Sequence, residues 1–177
     1  MTNFIVPTKA EVSENNQHIF DNLKKGLGTV PNLYAYFAKN ETALADYLTL
    51  QNRRNTLTSK EREVINLVVS QVNECVYCLA AHTVVGGLQG FTPEQIVQIR
   101  QANVHFDTKL DALAKFVKAT VINRGKPDKA IIDHLLSAGY SEANLIDIII
   151  VIGDKTISNY LHGVTGLPVD FPAAPTV

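Results

Sequence analysis

The chain has 177 residues, 46% of them hydrophobic and 19% charged, with a net charge of −1. That is enough for one domain with a proper core, and it leaves nucleic-acid binding without an electrostatic footprint. The longest strongly apolar run, Leu145 to Ile152, is interrupted by Asp147 and falls far short of the roughly 20 residues a spanning helix needs. The first residues, Met1 to Pro7, show neither the basic nor the apolar region of a signal peptide. The expectation is a cytoplasmic protein with no membrane partner.

Residues 1–10 read as an extended arm. Helical periodicity starts near Glu11 and runs to Leu27, with Gly26 and Gly28 closing it. Pro31 suits a first helical turn, so a short helix should carry Leu33, Tyr36 and Phe37, and another should cover about 41–54. Thr58-Ser59-Lys60-Glu61 has the capping-box pattern. The apolar stripe of Val64, Ile65, Leu67, Val68 and Val72 behind it is wide for a surface helix, which marks a central element. A helix over 75–88 should end at Gly86, Gly87 and Gly90. Whether it continues the helix before it or follows a break is open.

Thr92-Pro93-Glu94-Gln95 starts a helix to about Gln101, and Asp107 or Thr108 caps the next. Residues 128–138 form another, closed by Gly139, and Ser141 caps the last, about 142–163. Gly153 inside it suggests a close helix crossing. Gly90-Phe91-Thr92 and Gly139-Tyr140-Ser141 echo each other as helix-turn chemistry. The tail 167–177, with three prolines, should be extended. Sustained period-2 alternation and hairpin turns are lacking. The expected fold is all-α, one domain over 1–177 with seven or eight helices.

Both cysteines lie at Cys75 and Cys78, and His82 follows. On a helix Cys75 and Cys78 are neighbours at i,i+3, and Cys78 and His82 at i,i+4. In the cytoplasm such a pair is redox-active or metal-binding rather than a structural staple. A thiol reacts as its thiolate. An imidazolium at His82 would favour Cys78 as that thiolate, whereas a helix beginning near Cys75 would favour Cys75 through its dipole. Glu63 would lie about 120° from Cys75 on one continuous helix. It joins the site only if the chain bends between 70 and 75, and there it would orient the imidazole and relay protons. Zinc held by Cys75, Cys78, His82 and Glu63 or water is the chemical rival, and two inert buried thiols are the bland one.

The spacing Glu63, eleven residues, Cys75-x-x-Cys78, three residues, His82 resembles the AhpD-like alkylhydroperoxidases of the carboxymuconolactone decarboxylase superfamily. Leu57-Thr58-Ser59-Lys60-Glu61-Arg62-Glu63, Ser70 and Ala80-Ala81-His82-Thr83 are similar as well. Gly28-Thr29-Val30-Pro31-Asn32-Leu33 looks like the N-terminal motif of the peroxidase-related branch, and Asn159 and Asp170-Phe171-Pro172 look like its C-terminal end.

The resemblance implies an all-helical homo-oligomer, a dimer, trimer or hexamer, that reduces small peroxides without a cofactor or metal. The cysteine matching Cys78 attacks, the one matching Cys75 resolves to a disulfide, and the residues matching Glu63 and His82 relay protons. An external dithiol protein reduces the pair. One departure is Tyr77, where the best-studied branch has a relay histidine. Tyrosine is not an easily protonated base near pH 7, so a shorter or slower relay is expected. The decarboxylase arm acts on a lactone carboxylate without depending on a C-x-x-C pair, so the pair points to the redox arm. A non-catalytic metal-binding or interaction protein and a decarboxylase-like lyase are the alternatives. His18, His105, His134 and His162 read as surface or structural. Tyr34, Tyr36 and Phe37 read as core or oligomer interface.

Overall fold

A computed structural model describes residues 3–177, so Met1 and Thr2 of the expected arm lie outside the described residues. Among the described residues there are nine α-helices, one 3-10 turn at Lys9–Glu11, and no strand. The helices are α1 Glu14–Leu27, α2 Asn32–Phe37, α3 Ala43–Gln51, α4 Ser59–Val72, α5 Val76–Leu88, α6 Pro93–Gln101, α7 Thr108–Ile122, α8 Lys129–Ser137 and α9 Glu142–Thr165. The all-α expectation holds, with more helices than the seven or eight expected. No single helix among the described residues is long and apolar enough to cross a membrane.

Contacts divide the chain into two compact units. One holds the residues up to Arg53 with Leu161–Asp170. Its core is Val12, Phe20, Ala35, Ala38 and Leu44. Ser13 caps α1 by accepting from the Asn16 amide at 3.4 Å. The buried Asn16 side chain then donates to the Ala38 and Asn40 carbonyls, both at 3.1 Å, which ties α1 to the end of α2. The Asp170 carboxylate accepts from the Asn32 amide at 2.9 Å, joining the Pro31-Asn32 and Asp170 motifs. His162 lies within 3.0 Å of the Leu167 carbonyl, in keeping with its structural reading.

The other unit is Arg54–Tyr160 with Phe171–Val177, and α4 is its centre. Thr58 and Glu61 make the expected capping box: the Thr58 hydroxyl accepts from the Glu61 amide at 3.2 Å and the Glu61 carboxylate accepts from the Thr58 amide at 2.8 Å. Every residue from Glu63 to Ser70 is buried, and α4 packs against α5, α6 and α7. Val64, Ile65, Leu67, Val68 and Val69 share a core with Ile99, Leu113, Val117, Leu135 and Ile148. Each such aliphatic side chain contributes about 1.5–3 kcal/mol on burial, so the platform under the cysteines is stiff.

The open question between residues 58 and 88 resolves as a break. The Cys75 amide donates to the Ser70 carbonyl at 3.0 Å and the Glu74 amide to the Gln71 carbonyl at 3.2 Å. With Glu74 at φ 53°, this is the Schellman termination. The echoed segments use the same bond: Phe91 to Gly86 at 3.1 Å and Tyr140 to Leu135 at 3.4 Å.

Three glycine expectations need correction. Gly26 lies within α1, and Gly86 and Gly87 lie within α5, so they end neither helix. A β-carbon on Gly86 would sit 3.4 Å from the Ile96 side chain and 3.7 Å from that of Leu67, so this is the glycine at a close helix contact. Gly153 is not, because a β-carbon there would meet nothing within 4 Å.

Candidate active site

The break after α4 turns the chain so that α5 starts beside its own predecessor. Cys75 is the N-cap of α5, and its sulfur accepts from the Cys78 amide at 3.3 Å. Both thiols are therefore in one turn at a helix N-terminus, free and buried, with the Cys75 sulfur donating to the Cys78 sulfur at 2.8 Å. One turn later His82 meets α4: its Nδ1 lies 2.7 Å from Glu63 Oε2. The other carboxylate oxygen of Glu63 accepts from the Asn66 amide at 2.8 Å. Glu63, Cys75, Cys78 and His82 thus lie on two packed helices of one unit. The bend that Glu63 required is at Asn73–Cys75.

A wall that sequence reasoning did not assemble comes from α9. Lys155, Ser158 and Asn159, at i, i+3 and i+4, are all buried. Ser158 Oγ is 3.9 Å from the Cys78 sulfur and donates its own proton to the Lys155 carbonyl at 2.9 Å. The Asn159 amide is held at both ends. Its oxygen accepts from Asn73 at 3.0 Å and its nitrogen donates to Ser70 at 3.3 Å. Asn159 stood out in the sequence only through the resemblance. For Lys155 and Ser158 the available signal was polar residues at helical spacing inside an apolar helix.

The electrostatics separate the two sulfurs. The Cys75 thiol donating to Cys78 holds the Cys78 pKa down to about 6. Against burial, the charge of Lys155, the Asn159 amide and the charge of His82 act in the same direction. Cys75 is pushed far above the usual thiol range because its proton is engaged by Cys78 and because it is buried. For Glu63, burial alone would raise the carboxyl pKa. The charge and hydrogen bond of His82, the Asn66 amide and the charge of Lys155 outweigh it, and the net shift is downward.

Tyr77 stands between the two cysteines, in the first turn of α5. It is buried and packs edge-on against Phe171, with ring centroids 5.6 Å apart. The Phe171 segment is held further along, where Arg100 donates to the Pro175 carbonyl at 2.6 Å and to Gln71 at 2.9 Å. No group of three or more His, Cys, Asp or Glu side chains among the described residues is placed to hold a metal ion.

Residues 38–119, which include Glu63, Cys75, Cys78 and His82, match the model of the carboxymuconolactone decarboxylase family. No curated protein matches the chain in sequence. Among solved structures, an uncharacterized peroxidase-related protein from Silicibacter sp. TM1040 is 22% identical with a TM-score of 0.82, covering 94% of this chain and 90% of that one. An uncharacterized peroxidase-related protein with an alkylhydroperoxidase AhpD core, from Ralstonia eutropha JMP134, is 19% identical with a TM-score of 0.85, covering 95% and 92%. A cysteine-to-alanine variant of the debrominase Bmp8, in complex with 2,3,4-tribromopyrrole, is 15% identical with a TM-score of 0.79, covering 96% and 92%. At these identities the three structures speak for the fold alone. Residues 38–119 are similar to the carboxymuconolactone decarboxylase family, and the chain shares the fold of the peroxidase-related proteins.

Proposed function

We propose that the protein is a thiol-dependent peroxidase. The observation that carries this reading is the polarised thiol pair: Cys75 donates to Cys78 at 2.8 Å, one helical turn from the Glu63–His82 ion pair. The Cys78 thiolate attacks the distal peroxide oxygen. The O–O bond breaks, Cys78 becomes a sulfenic acid, and the leaving alkoxide takes a proton from His82, which Glu63 orients. The Cys75 sulfur then displaces hydroxide from the sulfenic sulfur, and with the Cys75 proton this leaves as water, giving the disulfide. An external dithiol protein returns the two electrons and two protons, and the cycle needs no cofactor.

A reducing, cytoplasmic compartment fits this cycle. The outward face of α9, with Ile146, Ile149, Ile157 and Tyr160 exposed, supports assembly of the chain with its own copies.

Stopped-flow peroxide reduction with a dithiol tests the reading. Turnover should vanish in Cys78→Ser and fall about 100-fold in Glu63→Gln, the lower range for a general acid–base contribution. Turnover that survives Cys78→Ser refutes it, whereas a decarboxylase-like lyase would keep its own activity with both cysteines replaced by serine. The likeness to a debrominase adds one arm, a bromopyrrole as the electrophile in place of peroxide.

A further inference from the structure

The outward face of α9 is symmetric about Gly153. Ile146, Ile149, Gly153, Ile157 and Tyr160 follow one another at steps of 3, 4, 4 and 3 residues, the spacing of a coiled-coil seam. On a helix they fall within about 80° of the circumference. The four side chains are 59%, 42%, 46% and 63% exposed, and all belong to the unit built on α4. A β-carbon on Gly153 would meet nothing within 4 Å, so nothing in the chain itself uses the notch between Ile149 and Ile157. The charged side chains of this stretch, Asp147, Asp154 and Lys155, are all buried.

We propose that this face pairs with the same face of a second copy, the two α9 helices running antiparallel and crossing at Gly153. The proposal rests on the self-assembly put forward above and not on the thiol chemistry. In a two-fold interface residue i meets residue j and j meets i. Turning α9 end for end about Gly153 sets Ile146 opposite Tyr160, Ile149 opposite Ile157, and Gly153 opposite itself. The half-buried Ile150 and Thr156 exchange places in the same way. A partner of different sequence requires no such reversal symmetry, so the symmetry points to a second copy. Charge points the same way, because an uncharged face meets its own copy with no like charges opposed. With glycine or alanine at the crossing, the helix axes reach the short end of the usual range of about 8–10 Å. At roughly 200 Å² for a large apolar side chain, the exposed parts of Ile146, Ile149, Ile157 and Tyr160 come to about 400 Å² per copy. Two copies bury about 800 Å² through these side chains, and the flanking Ile150 and Thr156 widen the contact toward the roughly 1,200 Å² of a stable interface. On its other side α9 brings Ser158 to 3.9 Å from the Cys78 sulfur and ties Asn159 to Ser70. The second copy therefore backs the wall of the candidate active site.

The test is the mass in solution of the reduced full-length protein, by sedimentation equilibrium at micromolar concentration. The wild type should have an even multiple of the 19.4 kDa chain mass. Ile149→Lys and Ile157→Glu each set a charge opposite an isoleucine of the second copy, and each should halve that mass. Mixed in equal amounts, the two variants should recombine, because the introduced charges then face each other across the two-fold. Both positions are exposed, and circular dichroism checks that the helices are intact. Should either variant fail to fold, Ile146→Ser with Tyr160→Ser, which adds no charge, takes its place and should halve the mass as well. A wild type with the mass of one chain overturns the self-assembly and this interface together. An assembled wild type whose variants keep its mass, or charged variants that separate and do not recombine, overturns the interface alone. Peroxide takes no part in the readout, so loss of the peroxidase reading leaves these masses as they are.

Discussion

Glu74 sets the direction of α5 and with it the positions of both sulfurs, and its own substitution exposes that role. It is exposed and sits at φ 53°, so a substitution there tests a backbone held in the left-handed region rather than a buried side chain. A side chain there costs roughly 1–2 kcal/mol relative to glycine. Glu74→Gly removes that cost but loosens the unfolded chain by about 0.4–1 kcal/mol, so the net expectation is stabilisation of about 0.5–1 kcal/mol. Glu74→Val goes the other way. A β-branched residue at positive φ is an outlier, and the bonds from Cys75 to Ser70 and Glu74 to Gln71 hold the position to that conformation. A loss of roughly 1–2 kcal/mol follows. Urea melts at constant slope separate the two, with a midpoint shift of about 2–4 °C per kcal/mol in thermal melts of a protein this size. The alkylation rate of Cys78 should fall in the valine variant and hold in the glycine variant. Equal stabilities for Gly and Val, or a destabilised glycine variant, would refute the backbone argument.

Stability should also depend on pH through Cys78. Its folded pKa is lowered to about 6 from an ordinary thiol value of about 8.5. For an acid held down in the fold, the contribution is complete above the unfolded value and is lost as pH falls through the folded one. Urea midpoints of the reduced protein should therefore rise between about pH 6 and 8.5, and Cys78→Ala should flatten the rise. Gly153→Ala should stabilise by about 1 kcal/mol, since the new β-carbon meets nothing within 4 Å. Gly86→Val should destabilise by roughly 1–3 kcal/mol, because the first carbon already lies 3.4 Å from Ile96. Thermal melts of the two variants shifting in the same direction would contradict this.

The pattern of what could be read from the sequence follows from how local the determining chemistry is. Thr58 with Glu61, Thr92 with Gln95 and Asp107 satisfy amides within one turn, so three residues of sequence reveal each helix start. The bend that builds the site has no such signature. Glutamate is an uncommon occupant of the left-handed position that glycine marks at Gly90 and Gly139, and a rule keyed to glycine passes over it. The α9 wall was hidden for a different reason. On an amphipathic helix polar residues ordinarily face water, yet here Ile157 and Tyr160 are 46% and 63% exposed while Lys155, Ser158 and Asn159 are buried. The inversion is set by partners about 80 positions away, which no local window contains.

That wall also bears on which sulfur ionises, where helix position and histidine spacing pulled in opposite directions. The dipole argument assumed that only Cys75 stands at the start of α5. In the structure Cys75 caps the helix and Cys78 occupies its first turn, with the Cys78 amide donating to the Cys75 sulfur. Both sulfurs feel the same helix end, so the dipole favours an anion in that turn without choosing between them. The choice is made by asymmetric neighbours. The pair shares one hydrogen bond, and its donor must be the sulfur that keeps a proton. Asn159 and His82 favour the ionised Cys78, Lys155 acts on both sulfurs, and burial acts against ionisation of both. Each of these neighbours enters from outside the helix turn: His82 from the next turn, Asn159 and Lys155 from α9. A C-x-x-C turn in isolation would therefore leave the thiolate divided between its two sulfurs, and the surrounding walls assign it to the second.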